Sequence, residues 1–184
     1  MQLDNAIKTR KSVRKFKDKK PNWRKIITAI DSSRYAPMAG GNFTLRFILV
    51  DDKNKINKIA DACQQDFVKT AHYVVVACSH PSMTITSYGK KGEIYSRQQA
   101  GAGIQNFLLK INELGLSSCW VGHFVESQIK DLLKMSSDVN VEAVLPVGYE
   151  YSKEKTKSKI DLDRILFFNK YKNKKMKDVK IVRV

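Results

Sequence analysis

Apolar positions recur along this chain at two spacings, and the changes between them mark its elements. Leu3 and Ile7, with polar residues between them, predict a short first helix, after which residues 10–16 alternate as extended chain does. Pro21 and Asn22 open a second helix: Trp23, Ile26, Ile27 and Ile30 fall at helical spacing and Asn22 stands where an N-cap belongs. Residues 36–42 end it. Continuous apolar runs over 45–50 and 72–78 predict strands buried on both faces, with an amphipathic helix over 55–65 between them. Residues 81–92, polar and carrying two glycines, predict a loop able to lie over a site. The clearest helix follows. Ile104, Phe107, Leu108, Ile111 and Leu114 mark its apolar stripe, and Ala100, Gly101, Ala102 and Gly103 let another backbone come close. A strand over 118–121, a helix over 127–135 and a strand over 142–149 complete the body. Strands and helices do not alternate regularly, so the prediction is an α+β sheet with helices packed over it.

Composition narrows the setting. At 184 residues, 42% of them apolar, the chain is long enough to bury one substantial core. The N-terminus lacks the apolar core of a secretory signal and no apolar run is long enough to span a bilayer, so a cytoplasmic, soluble protein without a membrane partner is expected. Cys63, Cys78 and Cys119, odd in number and scattered, are expected as reduced core thiols. His72, His80 and His123 share no ligand spacing with them, so no metal is expected. The net charge of +16 is uneven: residues 151–184 hold 12 Lys and Arg against 4 Asp and Glu, a net +8. Such charge attracts phosphates and other anions. Nucleic acid is argued against as a partner, because along the sequence the aromatics are not interleaved with bases and no nucleic-acid motif is present. A non-catalytic basic protein that binds nucleic acid or flavin stands as the alternative to an enzyme.

Chemistry enters with Arg10, Lys11, Ser12, Val13 and Arg14. On extended chain Arg10, Ser12 and Arg14 point the same way, offering two guanidinium forks and a hydroxyl to one ligand, a set suited to a phosphate monoester. From spacing alone a solvated basic stretch is the preferred reading. Residues 36–42 enter a strand through Gly40 and Gly41, which permit positive φ and close approach by a flat ligand or another backbone, though an ordinary helix-to-strand turn explains them equally well. Gly101 and Gly103 resemble the start of a dinucleotide fingerprint, but no strand precedes them and the third glycine is missing, so a Rossmann site is rejected.

Taken in order, the blocks Arg10-Lys11-Ser12-Val13-Arg14-Lys15-Phe16, Ala36-Pro37 to Gly41-Asn42, Gln99 to Asn106, Gly115 to Gly122 and Leu145-Pro146-Val147-Gly148-Tyr149 resemble the nitroreductase family. Each block is weak alone; the ordered set is specific and covers the chain to about Tyr171. The resemblance implies a single FMN-binding domain over 1–171, with a basic extension over 172–184. It also implies a central mixed or antiparallel sheet flanked by helices and a homodimer with FMN bound at the interface by residues of both chains.

By resemblance, Arg10, Ser12 and Arg14 hold the flavin phosphate and reach its pyrimidine edge, with Lys11 among the cofactor-binding residues, and Asn42 lies beside the isoalloxazine. Val121 and Gly122 match the loop over the flavin whose backbone amide lies near N5, and Lys157 and Lys159 occupy the family's basic pair near the phosphate. Arg14 and Gly122 are the expected catalytic positions, Arg14 by placing positive charge near N1 and O2. The expected activity passes hydride from NADH or NADPH through flavin N5 to a small acceptor such as a nitroaromatic, quinone or enone. Departures are visible. Phe43, Thr44, Leu45 and Arg46 follow Asn42 where the family often has another wall, and Gln99 replaces a common aspartate at the expected helix start. Phe167, Phe168 and Tyr171, on a charged segment with little core, are expected to reach across a twofold interface.

Overall fold

The computed structural model of the chain describes residues 2–152 and 158–176. It forms two compact units, Met1–Glu154 and Lys155–Val184. The first holds a four-stranded sheet of β1 (Leu45–Val50), β2 (Tyr73–Ser79), β3 (Ser117–Ser118) and β4 (Asn140–Gly148), in the order β1-β2-β4-β3 with every pair antiparallel. An isolated parallel bridge from Ser12 to Ser118 adds the N-terminal stretch at the β3 edge.

The valine run of β2 is continuous because both faces of the sheet are covered. Tyr73, Val75 and Ala77 pack with Ala143, Leu145 and Val147 beneath α2 (Trp23–Ser32) and α5 (Lys91–Glu113). Val74 and Val76 join Val144 on the other face, beneath α3 (Lys53–Cys63) and α6 (Glu126–Leu133). Two cores therefore share one sheet, which holds the strand ends rigidly apart. The helix starts follow the sequence: Asn22 Oδ1 accepts from the Arg24 N–H at 3.0 Å, and Asp52 Oδ1 accepts from the Lys55 N–H at 2.9 Å. A short α1 (Leu3–Thr9) precedes the extended stretch.

The stretch 81–92 is not a loop. It contains α4 (Ser82–Tyr88), and α5 has begun by Lys91, nine residues before the predicted small-residue run at Ala100. Gly89 (φ +57) makes the corner, and Gly92 lets α5 touch α4 backbone to backbone. Gln99 is accordingly mid-helix and buried, not at a helix start. Gly103 is filled by the chain's own Leu45 and Ser33, so the close approach expected there is intramolecular. The third strand is also shorter than predicted. It ends at Ser118, and Val121 pairs with Val144 through a separate two-bond bridge.

Cys63, Cys78 and Cys119 are free and buried, as expected. Burial pushes the Cys63 thiol from 9.0 up to about 12 and the Cys78 thiol up to about 11. These thiols stay protonated in the fold and ionise near 9 once unfolded, so their contribution is complete below about pH 9 and is lost as pH rises above it. Titration with an aromatic disulfide reagent at about pH 8 should find no reactive thiol in the native protein and three after denaturation. Among the described residues no helix is long and apolar enough to cross a membrane.

In the second unit α7 (Leu162–Ile165) is a single turn. Phe167 and Tyr171 pack edge to face at 4.9 Å, and Ile160, Leu162 and Ile165 are exposed within it.

Candidate functional site

Arg10 leaves α1 with φ −58 and ψ 128, so the chain turns straight from helix to extended backbone. Two anchors hold it. The Val13 N–H donates to the Ser118 carbonyl at 3.0 Å, and the Lys17 N–H donates to the Tyr149 carbonyl at 2.8 Å. Val13 and Phe16 turn inward against Ala71 and Phe67. Phe16 lies on Gly148, where a Cβ would stand 2.8 Å from its ring, so glycine is what lets the stretch close on the sheet. Ser12 and Arg14, flanking the inward Val13, face outward.

Cys119 reports where those side chains go. Burial raises its thiol, while the Arg14 charge, a hydrogen bond with Ser12 and the Arg10 charge act in the opposite direction. The Ser12–Ser118 bridge sets Ser12 beside Cys119 at the end of β3, and Arg10 and Arg14, two residues to either side of Ser12, lie within electrostatic reach of that sulfur. Lys11 is engaged elsewhere: its ammonium pairs with Glu150 at 2.6 Å. The loop after Cys119 brings Val121 and Gly122 to the same region. The Val121 N–H is committed to the Val144 carbonyl at 3.0 Å, and Gly122, exposed beside Trp120, lies outside that bridge.

Asn42 sits elsewhere in this chain. A 3-10 turn over Ala39–Gly41, with Gly40 at φ +58 and Gly41 at φ +74, delivers it ahead of β1. The Asn42 side chain donates to Ser87 Oγ at 3.3 Å. Tyr88 of α4 closes over the turn, its hydroxyl 2.7 Å from where a Gly40 Cβ would stand. Behind the turn Gln99 Oε1 accepts from the Thr44 N–H at 2.6 Å and the Thr44 hydroxyl at 2.7 Å, and the Ser96 hydroxyl donates to Thr44 at 2.9 Å. Sequence reasoning missed this support. Its one trace in the sequence is Thr44, a polar residue between Phe43 and Leu45 at the start of an apolar run; Ser96 and Gln99 stand in a polar stretch 52 and 55 residues further on.

The sheet measures the separation. From β3 to β1 there are three strand spacings, roughly 14 Å. Ser118 pairs with Val147, whereas Ser79, opposite Leu45, pairs with Asn140, seven residues back along β4, or roughly 23 Å. The arginine set and Asn42 therefore occupy diagonal corners of one rigid sheet and cannot line the same small ligand from one chain. Lys159 is exposed in the second unit, and Lys157 lies outside the described residues.

The nitroreductase family model matches residues 7–67 and 60–149. A protein of Methanothermobacter thermautotrophicus with the provisional name NADH dehydrogenase/NAD(P)H nitroreductase is 28% identical over 170 residues, spanning 90% of this chain and 86% of its own. An iodotyrosine deiodinase of Thermotoga neapolitana is 24% identical over 173 residues, spanning 80% and 88%. Among solved structures, an FMN-dependent nitroreductase of Clostridium difficile matches with a TM-score of 0.78 at 26% identity, spanning 91% of this chain and 99% of that one.

Proposed function

This chain belongs to the nitroreductase family, and from that premise we propose that it is an FMN-dependent oxidoreductase, homodimeric, moving two electrons from NADH or NADPH to a small acceptor such as a nitroaromatic, quinone or enone. The observation that carries the reading is the strapping of the Arg10–Arg14 stretch to the β3 edge at Ser118, which leaves Ser12 and Arg14 exposed on either side of the buried Val13. A guanidinium fork with a hydroxyl suits a phosphate monoester, and a second guanidinium suits the pyrimidine edge, so the residues present fit the cofactor.

FMN, when bound, supplies hydride acceptance and delivery at N5. The chain supplies the rest. Arg10 and Ser12 grip the phosphate, and Arg14 places fixed positive charge toward the pyrimidine edge, where negative charge grows on reduction. Gly122, exposed and without a side chain, would leave room for the flavin beside its backbone. Asn42 would flank the ring system from the partner subunit, a reading supported by its place at the far corner of the sheet, so that each site would be built from two chains. The exposed apolar residues of the Lys155–Val184 unit suit a surface that pairs with a second copy. No side chain is asked to act as a general base.

A mixing experiment tests this. Arg14→Ala and Asn42→Ala homodimers should each lose most NAD(P)H-dependent activity, while a co-refolded equal mixture should recover about a quarter of parental activity, because half of its dimers carry one intact site in two. A mixture no more active than its parts, with FMN still bound by the parent, would place both residues in one chain's site and sink the shared-site reading.

A further inference from the structure

Between Lys8 and Lys25 the chain carries ten Lys and Arg against a single acidic residue, Asp18. This run is not a loose tail. Phe16 bridges Glu150, the Tyr151 N–H donates to the Lys15 carbonyl at 3.0 Å, and the stretch is strapped to the chain leaving β4. The strapping does what linear order conceals, for it sets the cations over aromatic rings. Lys15 Nζ stands 4.1 Å from the Tyr151 centroid, Lys19 Nζ 5.1 Å from Tyr149, and Arg24 Cζ 5.0 Å from Trp23. The expectation that bases and aromatics are not interleaved thus holds along the sequence and fails in space. Tyr151 is 54% exposed and Trp23 46%. Lys11 is neutralised by Glu150, and Lys20 lies 3.6 Å from Asp51. Lys15, Lys17, Lys19 and Arg24 have no acidic partner among the described residues.

We propose that this strip docks single-stranded nucleic acid, its lysines on the phosphates and Tyr151 and Trp23 beneath unpaired bases. Unpaired uncompensated cations raise affinity by releasing the counterions of a polyanion. The half-exposed Tyr151 and Trp23 add stacking that a duplex, with its bases already stacked, cannot use. The surface is separate from the flavin grip: neighbours on an extended stretch alternate in direction, and Lys15, next to Arg14, lies over Tyr151. The proposal therefore does not rest on the flavin reading.

The test is fluorescence anisotropy of the full FMN-loaded chain with a labelled oligouridylate of about a dozen nucleotides, at KCl from about 50 to 300 mM. Binding should weaken with salt at a log-log slope of about −2 to −3, as expected for three or four phosphates at roughly 0.7 each. Combined Lys15→Glu, Lys17→Glu and Lys19→Glu should abolish it. Tyr151→Ala should weaken it at least about fivefold and Tyr151→Phe should restore it, with flavin absorbance unchanged throughout. Absence of binding at low salt would overturn the proposal. So would equal affinity for a duplex of the same sequence, an unaltered affinity in Tyr151→Ala, or binding to phosphatidylserine vesicles in place of the oligonucleotide.

Discussion

Replacing Arg10 and Arg14 together by alanine should release FMN from the purified protein. Each guanidinium is expected to donate charge-assisted hydrogen bonds to the cofactor, and such a bond contributes about 1.5–3 kcal/mol. Even discounted for the solvent that reaches Arg14, the pair is worth roughly 3 kcal/mol, a hundredfold or more in dissociation constant. The fold should survive, because neither residue is part of the core and the anchoring falls to Val13, Phe16 and their backbone bonds. Fluorescence titration of the apo-protein with FMN, beside circular dichroism, separates the two effects. Affinity within about threefold of the parent would mean that these side chains do not grip the cofactor.

The second large effect lies in the helix that carries the glycines. A Cβ at Gly92 would run into the Thr84 carbonyl and the Ile85 amide, which are backbone atoms unable to rotate away. Gly92→Ala should therefore cost about 3 kcal/mol and lower Tm by roughly 6–12 °C. Gly101 sits in the same helix with nothing within 4 Å of its would-be Cβ, so Gly101→Ala should stabilise by about 0.5–1 kcal/mol. Opposite signs for one chemical change in one helix would come from packing alone. Thermal melts of both variants decide it: equal shifts would show that α4 does not seat on Gly92. The loss should also reach function, because α4 carries Ser87, the partner of Asn42, and Tyr88, which closes the glycine turn.

What the sequence disclosed divides along physical lines. Elements set by local chemistry were legible: the Asn22 start of α2, the buried valine run of β2, and the extended stretch with Ser12 and Arg14 turned outward. Elements set by tertiary contact were not. Residues 82–88 are poor in strong helix formers and uncharged, and they look like loop until α5 is laid against them through Gly92. Val121 reads as part of a strand, yet the ladder stops at Ser118 and resumes as one bridge, since pairing length depends on where β4 runs. The site followed the same division. Which residues suit a phosphate was visible from alternation; that Asn42 lies a sheet diagonal away was not, because strand order and register are properties of the folded whole. The pairing of Lys15 with Tyr151 joins residues from opposite ends of the first unit and leaves no local trace.

The diagonal has a genetic corollary. In the proposed dimer a single sheet would bear the phosphate grip of one centre and the flank of the other, so harm done to one polypeptide would reach both centres. A copy defective at both corners would poison each centre of any mixed assembly it enters, leaving only the roughly one quarter of assemblies built wholly from sound copies, so such an allele would behave as dominant-negative.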